Sequence, residues 1–198
     1  MRLFVFSRHG QSELNVEKRV NGDPARPVAL TAKGEKEAEM LGVQVANFDF
    51  DVCIHTRFGR TKRTADIALG PRAVKIPYVV EPLFDDVKIG DFDGALTADY
   101  RKWKSAHTRK DRFPNGESLI ESAQRYADGY QKLLDSAHGA ALVVYHDIPI
   151  RYLLNAAGGS HWLDGPLHDI PNATAFIFDE AALRRAVPRI RELAAVEK

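Results

Sequence analysis

The stretch LFVFSRHG, residues 3–10, passes from a short apolar run to a charged pair and a glycine. Its apolar residues, Leu3 to Phe6, predict a buried β-strand that opens a sheet. Further short apolar runs, bounded by Gly, Pro or Asp, alternate along the chain with longer segments of helical period. This alternation predicts a layered α/β domain. Because Arg8 and His9 follow the first strand at once, we expect polar chemistry at its carboxyl end.

The remaining elements are predicted from the same two patterns, short apolar runs for strands and apolar residues at helical spacing for helices. Short apolar runs predict strands at residues 52–54, 78–80, 141–145 and 175–178. Apolar side chains at helical spacing predict helices that follow Thr31 as N-cap, span residues 60–69, 119–134 and 150–157, and begin at Glu180. The run at 141–145 is apolar throughout, so we expect a central strand covered on both faces.

Residues 88–115 interrupt the alternation. They are polar, contain Gly90, Gly94 and Pro114, and lack a strong period. Segments of this kind usually form loops at the edge of a sheet, where functional residues collect. We therefore expect an excursion over the sheet edge within one domain that spans residues 1–198.

Composition excludes several classes of protein. The chain has 198 residues, 44% of them hydrophobic, which suits one globular domain. Its formal net charge of +1 gives no indication of nucleic-acid or membrane binding. The single cysteine rules out an internal disulfide, and no apolar run has the length of a secretory signal or a membrane span. We expect a cytoplasmic protein, and the sequence indicates no oligomeric state.

Three polar clusters directly follow predicted strands, at residues 8–10, 55–60 and 146–147. The carboxyl ends of strands are where open α/β sheets bind ligands, and two arginines and two histidines there would form a pocket for a dianion. Arg8 and Arg60 offer guanidinium forks that match phosphate oxygens. A neutral His9 could attack phosphorus, His146 could donate to the phosphoryl oxygens, and Gly10 would let the backbone approach the ligand. Taken singly, each residue of this kind is more often a hydrogen-bonded or solvated surface residue.

The motifs in these clusters resemble those of the histidine phosphatase superfamily, in its phosphoglycerate-mutase-like branch. SRHGQSELN at 7–15 resembles the opening signature Arg-His-Gly-x-Thr/Ser-x-x-Asn. TRFGRTKRTA at 56–65 is similar to Ser-x-Leu-x-Arg-Ala-x-x-Thr-Ala, although Thr61 replaces the common Ala. Further ordered matches lie at residues 21–22, 30–34, 116–118 and 145–151. Agreement in this order is not accounted for by chance.

This resemblance implies a three-layer α/β/α sandwich with a mostly parallel sheet and a small cap formed by residues 88–115. It implies that His9 is the nucleophile and that Arg8, Arg60 and His146 complete the phosphate pocket. Three further residues are expected to line its entrance: Gln11, Asn15 and Gly22. No metal or other cofactor is implied, and the sequence contains no CxxC or HExxH pattern.

The general acid is where the sequence departs from the family pattern. The family usually places a Glu before x-x-Phe/Tyr-Gly, and the matching run DVKIG at 86–90 places the shorter Asp86 there. Asp147 follows the second histidine, where the related acid-phosphatase branch has an acidic residue. We favour Asp86 because GDFDG at 90–94 keeps the mutase-like pattern. Asp147 is then the alternative acid, or a helix N-cap.

Hydrolysis of a small phosphomonoester is the favoured reaction, because mutases of this family carry a longer insertion and tail. A mutase, or a module that binds phosphate or phosphoproteins without turnover, is the alternative. His55 and Arg57 either face the substrate or have a surface role. Basic residues of the cap surround Trp103. They predict a substrate with a second anionic group, or a nucleotide substrate whose base stacks on Trp103. The alternative is that they form a solvated basic face of a helix. They are Arg101, Lys102, Lys104, Arg109, Lys110 and Arg112.

Overall fold

The structure is a computed structural model that describes residues 2–196. Its centre is a five-stranded sheet in the order β3-β2-β4-β1-β5. The strands are β1 (Leu3–Arg8), β2 (Val52–His55), β3 (Tyr78–Val80), β4 (Ala140–Tyr145) and β5 (Phe176–Asp179). The first four run parallel, and β5 pairs antiparallel with β1. The mostly parallel sheet is thereby confirmed, with β4 buried between β2 and β1.

Seven α-helices connect and cover these strands in residues 2–196. They are α1 (Glu13–Val16), α2 (Ala32–Gln44), α3 (Gly59–Leu69), α4 (Thr97–Ala106), α5 (Leu119–Asp135), α6 (Asp147–Ala157) and α7 (Glu180–Val196). The predicted N-cap of α2 is confirmed, because the Thr31 hydroxyl accepts a hydrogen bond from the Gly34 amide. Helix α5 begins with a capping box formed by Ser118 and Glu121. The short α1 was not predicted, since four residues show no period.

Two hydrophobic layers enclose the sheet, because successive strand residues point to opposite faces. Phe4 and Phe6 of β1 pack with α5, α6 and α7 on one face. Val5, between them, packs with α2 and α3 on the other face. This arrangement confirms the three-layer α/β/α sandwich.

Residues 88–115 contain a 3₁₀ turn at Gly90–Phe92 and α4, a helix that was not among those predicted with defined bounds. Helix α4 was not predicted because Tyr100 is its one buried residue, so its apolar residues show only a weak helical period. Tyr100 joins a separate small hydrophobic cluster with Val87, Ile89 and Phe113. In the part of the chain that the structure describes, no helix is long and apolar enough to cross a membrane.

Candidate active site

The carboxyl ends of β1, β4 and β2 lie side by side and carry the predicted residues. The His9 amide continues the β1–β4 ladder by donating to the Tyr145 carbonyl, 3.0 Å away. His146 follows β4 directly, and Arg60 is the second residue of α3, which begins four residues after β2 ends. The amino ends of α3 and α6 therefore meet at this edge, and their dipoles favour an anion there.

His9 is buried, with 4% of its surface exposed. Its Nδ1 lies 2.7 Å from the Gly10 carbonyl oxygen, which can only accept, so Nδ1 carries the hydrogen and Nε2 has the lone pair. Arg60 Nε donates to that lone pair over 3.0 Å. Burial, followed by the charges of Arg60 and Arg8, holds the pKa of His9 well below its usual value. The ring is therefore neutral near neutral pH, as a nucleophile requires.

The backbone around His9 is fixed from several sides. The Asn172 side chain donates to the His9 carbonyl over 2.7 Å, and the Gly10 amide donates to Thr64 Oγ1 over 3.0 Å. A Cβ on Gly10 would lie 2.3 Å from the carbonyl oxygen of Gly34 in α2. Gly10 is thus required by helix packing, which differs from the predicted close approach of the ligand.

The Arg60 guanidinium connects the other members of the site. It is 5% exposed and donates from Nη1 to Asn21 Oδ1 over 2.5 Å. Its Nη2 lies 3.4 Å from His146 Nδ1 and 3.6 Å from Asp86 Oδ2. Burial lowers the pKa of Arg60 to about 10, against the opposing effect of Asp86. The side chain therefore remains a cation at neutral pH.

His146 lies behind this guanidinium and is fully buried. Its ring centroid is 5.5 Å from that of His9, and its Nε2 lies 3.0 Å from the Thr56 hydroxyl. Burial and the charge of Arg60 hold the pKa of His146 well below its usual value, so the ring is neutral.

Arg8 has an unused donor. Its Nη1 donates to the Ile170 carbonyl over 2.6 Å and lies 3.7 Å from Asp169. Its buried Nε has no hydrogen-bond partner within residues 2–196. A buried guanidinium N–H without a partner is costly, so Arg8 is well suited to bind an anion.

The two candidate acids have different surroundings. Asp86 Oδ2 lies 3.6 Å from both Arg60 Nη2 and His146 Nδ1, whereas Asp147 Oδ2 lies 3.2 Å from Arg151 and its Oδ1 accepts from the Ile170 amide. Burial raises the pKa of both carboxyl groups. The charge of Arg60 opposes this rise at Asp86, and the charge of Arg151 opposes it at Asp147. Asp147 is the first residue of α6 and His146 occupies the N-cap position, so the interpretation of Asp147 as N-cap was wrong.

These residues surround a cavity of about 490 Å³. Its wall includes six of the predicted residues: Arg8, His9, Asn15, Arg60, Asp86 and Asp147. It does not include Gln11 or Gly22, so the structure places neither at the predicted entrance. It does not include the fully buried His146 either, which adjoins the site through Arg60 Nη2. Gln11 Oε1 accepts from the Thr31 hydroxyl, and the Gly22 amide donates to Asp93. Gly22 leaves room for backbone packing, since a Cβ there would lie 2.4 Å from the Val87 carbonyl.

Three residues that were predicted as possible substrate contacts, His55, Arg57 and Trp103, do not line the cavity. His55 is buried, with its Nδ1 2.7 Å from the Thr56 carbonyl, and Arg57 pairs with Asp85, so neither faces the cavity. The Trp103 ring stacks on His107 at 4.0 Å and lies outside the cavity wall, which argues against a stacked nucleotide there. Two basic cap residues, Arg101 and Lys104, do line the cavity.

Sequence reasoning missed Asn21, Asn172 and Thr56. Asn21 adjoins the predicted Gly22 and was within the same motif. Asn172 stands in a loop 163 positions from His9, and nothing local marks it. Among residues 2–196, no group of three or more His, Cys, Asp or Glu side chains is placed to hold a metal ion.

Known proteins are similar to this chain in sequence and in fold. A 2,3-bisphosphoglycerate-dependent phosphoglycerate mutase of Cytophaga hutchinsonii is 28% identical over 166 residues, which are 78% of this chain and 76% of that protein. The α-ribazole phosphatase of Shigella flexneri has a TM-score of 0.73 at 21% identity, covering 89% of this chain and 90% of the other. A mycobacterial glucosyl-3-phosphoglycerate phosphatase has a TM-score of 0.70 at 19% identity, covering 89% of each chain.

At these identities, the two solved structures establish the fold. Membership of the family rests on sequence. The profile described as the histidine phosphatase superfamily (branch 1) matches residues 4–192, almost the whole chain. The chain belongs to this superfamily, in the branch that contains the phosphoglycerate-mutase-like proteins.

Proposed function

We propose that this protein is a phosphatase that hydrolyses a small phosphomonoester, with His9 as the transient carrier of the phosphoryl group. One observation carries the proposal. His9 is neutral, its Nδ1–H is tied to the Gly10 carbonyl, and its Nε2 lone pair faces the Arg60 guanidinium at the cavity wall. A fixed tautomer beside a preorganised cation is what in-line attack on phosphorus needs.

In the first half of the reaction, His9 Nε2 attacks phosphorus and the bond from phosphorus to the leaving oxygen breaks. Arg8 and Arg60 hold the phosphoryl oxygens, and the positive ends of α3 and α6 add to the stabilisation. We assign the proton for the leaving oxygen to Asp86. Its raised pKa favours the protonated acid, and it is the carboxyl nearer to Arg60 and His146.

In the second half, the Asp86 carboxylate removes a proton from water, whose oxygen attacks the phosphohistidine. The nitrogen–phosphorus bond breaks, and inorganic phosphate leaves with His9 restored. About a quarter of the Asp86 side chain is exposed, so water can reach the base. This access favours hydrolysis over return of the phosphoryl group to a substrate, which is the mutase alternative.

Labelled substrate tests the proposal directly. Rapid quenching into alkaline denaturant should leave a protein-bound phosphoryl group that acid treatment removes, together with phosphate release from p-nitrophenyl phosphate. Both should be lost in His9→Ala. His55→Ala is the matched control, because this second buried strand-end histidine makes the same type of bond to a backbone carbonyl but lies off the cavity.

Three results would contradict the proposed function. Full activity in His9→Ala would overturn the mechanism. Transfer of the label to an added phosphorylated sugar acid in preference to water would favour a mutase. Tight phosphate binding without adduct or turnover would favour a binding module.

A further inference from the structure

A chain of buried hydroxyl groups ends on His146. Thr56 Oγ1 lies 3.0 Å from His146 Nε2 and 3.0 Å from Thr61 Oγ1. Thr56 and Thr61 are both almost fully buried, as is His146 itself. Each hydroxyl has one hydrogen to give, so the direction of the chain determines which ring nitrogen of His146 carries a hydrogen.

The neighbours of Thr61 determine that direction. Its hydroxyl donates to the Phe58 carbonyl over 2.8 Å and accepts from the Thr56 amide over 3.2 Å. With its hydrogen used on Phe58, Thr61 Oγ1 can only accept from the Thr56 hydroxyl. Thr56 Oγ1 then offers a lone pair to His146, which must donate from Nε2.

The other side of the ring agrees with this direction. Arg60 Nη2 lies 3.4 Å from His146 Nδ1, and a guanidinium has donors and no acceptor. A hydrogen on His146 Nδ1 would therefore point at an N–H hydrogen of Arg60 and be repelled by it. An Nδ1 without a hydrogen instead accepts a hydrogen bond from Arg60. Reversal of the hydroxyl chain would remove the Thr61 bond to Phe58 and create this clash.

We propose that Thr61 is a positioning residue that, through Thr56, fixes the hydrogen of His146 on Nε2. The bare Nδ1 then cannot donate to a phosphoryl oxygen until it takes a proton from solvent. His146 would thus bind the phosphoryl group as an imidazolium, with Nε2–H on Thr56 and Nδ1–H on the anion. This deepens the proposed function, because it takes phosphate as the ligand of the pocket.

The charges around His146 are compatible with such a change. Burial disfavours the imidazolium most, and the charges of Arg60 from α3, Arg125 from α5 and Arg8 at the end of β1 act in the same direction. The neighbouring His9 ring is neutral. The nearest carboxyl, Asp86, lies 3.6 Å from Nδ1. A phosphate dianion between Arg8 and Arg60 would offset these cations and favour protonation.

Nitrogen-15 NMR of histidine-labelled protein tests the tautomer without any activity. In the free protein near neutral pH, His146 should show a protonated Nε2 and an unprotonated Nδ1. With saturating inorganic phosphate, both nitrogens should become protonated. A free-state hydrogen on Nδ1, or a ring that stays neutral with phosphate bound, would overturn the inference. Absence of phosphate binding would contradict the proposed function, while the free-state spectrum still decides the tautomer.

Substitution tests the part assigned to Thr61. Thr61→Ala suits a helix and frees the Thr56 hydroxyl to donate to Nε2, so the His146 signals should move towards the Nδ1–H form and phosphate affinity should lose its dependence on this proton. Thr61→Ser keeps the hydroxyl and should restore the wild-type spectrum. Unchanged His146 signals in Thr61→Ala would overturn the role of Thr61. If that variant does not fold, the wild-type spectra still support or refute the fixed tautomer.

Discussion

Arg60 Nε donates to His9 Nε2 over 3.0 Å, so in the free protein the guanidinium occupies the lone pair that would attack phosphorus in the proposed mechanism. An incoming phosphoryl group must replace that bond. It can do so without moving the arginine far, because Nη1 stays anchored on Asn21 Oδ1 at 2.5 Å. The guanidinium would exchange a nitrogen acceptor for phosphoryl oxygens, which accept charge-assisted hydrogen bonds.

Arg60→Lys should therefore lose most of the activity while keeping the charge. A lysine cannot contact His9, Asn21 and His146 at once as the planar fork does. We expect kcat/KM to fall by about 10²–10³, the usual effect of removing one preorganised donor. Steady-state kinetics with p-nitrophenyl phosphate measures this.

Arg63→Lys is the control on the same helix. Arg63 is more than half exposed and pairs with Glu35, so this change should leave kcat/KM near that of the wild type. Equal losses in the two variants would contradict the assignment of Arg60 to phosphate binding.

Asp86→Asn and Asp147→Asn should separate the two candidate acids. Asp86→Asn should slow turnover by about 10²–10⁴, the usual contribution of a general acid. The loss should be greater for an alkyl phosphate than for p-nitrophenyl phosphate, because nitrophenolate leaves without a proton. Asp147→Asn should show no such dependence on the leaving group. The reverse pattern would assign the proton to Asp147.

The fold was predictable from sequence because the strands and covering helices have strong periods. Apolar runs located every strand to within two residues, and α2, α3, α5, α6 and α7 each bury an amphipathic face. Helix α4 was missed because it buries Tyr100 alone and presents mostly polar residues. Where tertiary burial is weak, the sequence lacks the signal on which prediction depends.

The site was predictable where its residues follow strand ends or stand in a motif of the resemblance, as Asn15 and Asp86 do. Arg8, His9, Arg60 and His146 were found because polar residues after strands of a parallel sheet must meet. Asn172 was not found, because its approach to the His9 carbonyl depends on the path of a distant loop. Gln11 stands within the same motif, but its side chain turns to Thr31, and motif spacing gives no side-chain direction.

The pH profile of kcat/KM should reflect both shifted groups. His9 must be unprotonated and its pKa is lowered, so it causes loss of activity only below the range of an ordinary histidine, about 6.5. Asp86 must be protonated for the first step and its pKa is raised, so it causes loss as pH rises through a value above that of an ordinary aspartic acid, about 3.9.

Dividing the wild-type profile by that of Asp86→Asn cancels the ionisation of the substrate and isolates Asp86. The ratio should decline with rising pH. A ratio that does not change with pH would show that Asp86 does not titrate in the reaction.

Close packing between α2 and the segment after His9 gives the last prediction. A Cβ on Gly34 would lie 2.0 Å from the Gln11 carbonyl oxygen, and this obstacle is backbone. Ala within a helix normally stabilises by about 1 kcal/mol relative to Gly, but here the clash should outweigh that gain. We expect Gly34→Ala to lower the free energy of unfolding by about 1–3 kcal/mol, the usual cost of overpacking.

Activity should fall with stability in this variant, because Gln11 is two residues from His9 and any shift reaches the nucleophile. Gly59→Ala is the matched control at the start of α3, where an added Cβ meets nothing within 4 Å. Urea unfolding should show it to be as stable as the wild type or up to about 1 kcal/mol more stable, with unchanged turnover. A stable, fully active Gly34→Ala would show that this contact does not hold the His9 segment in place.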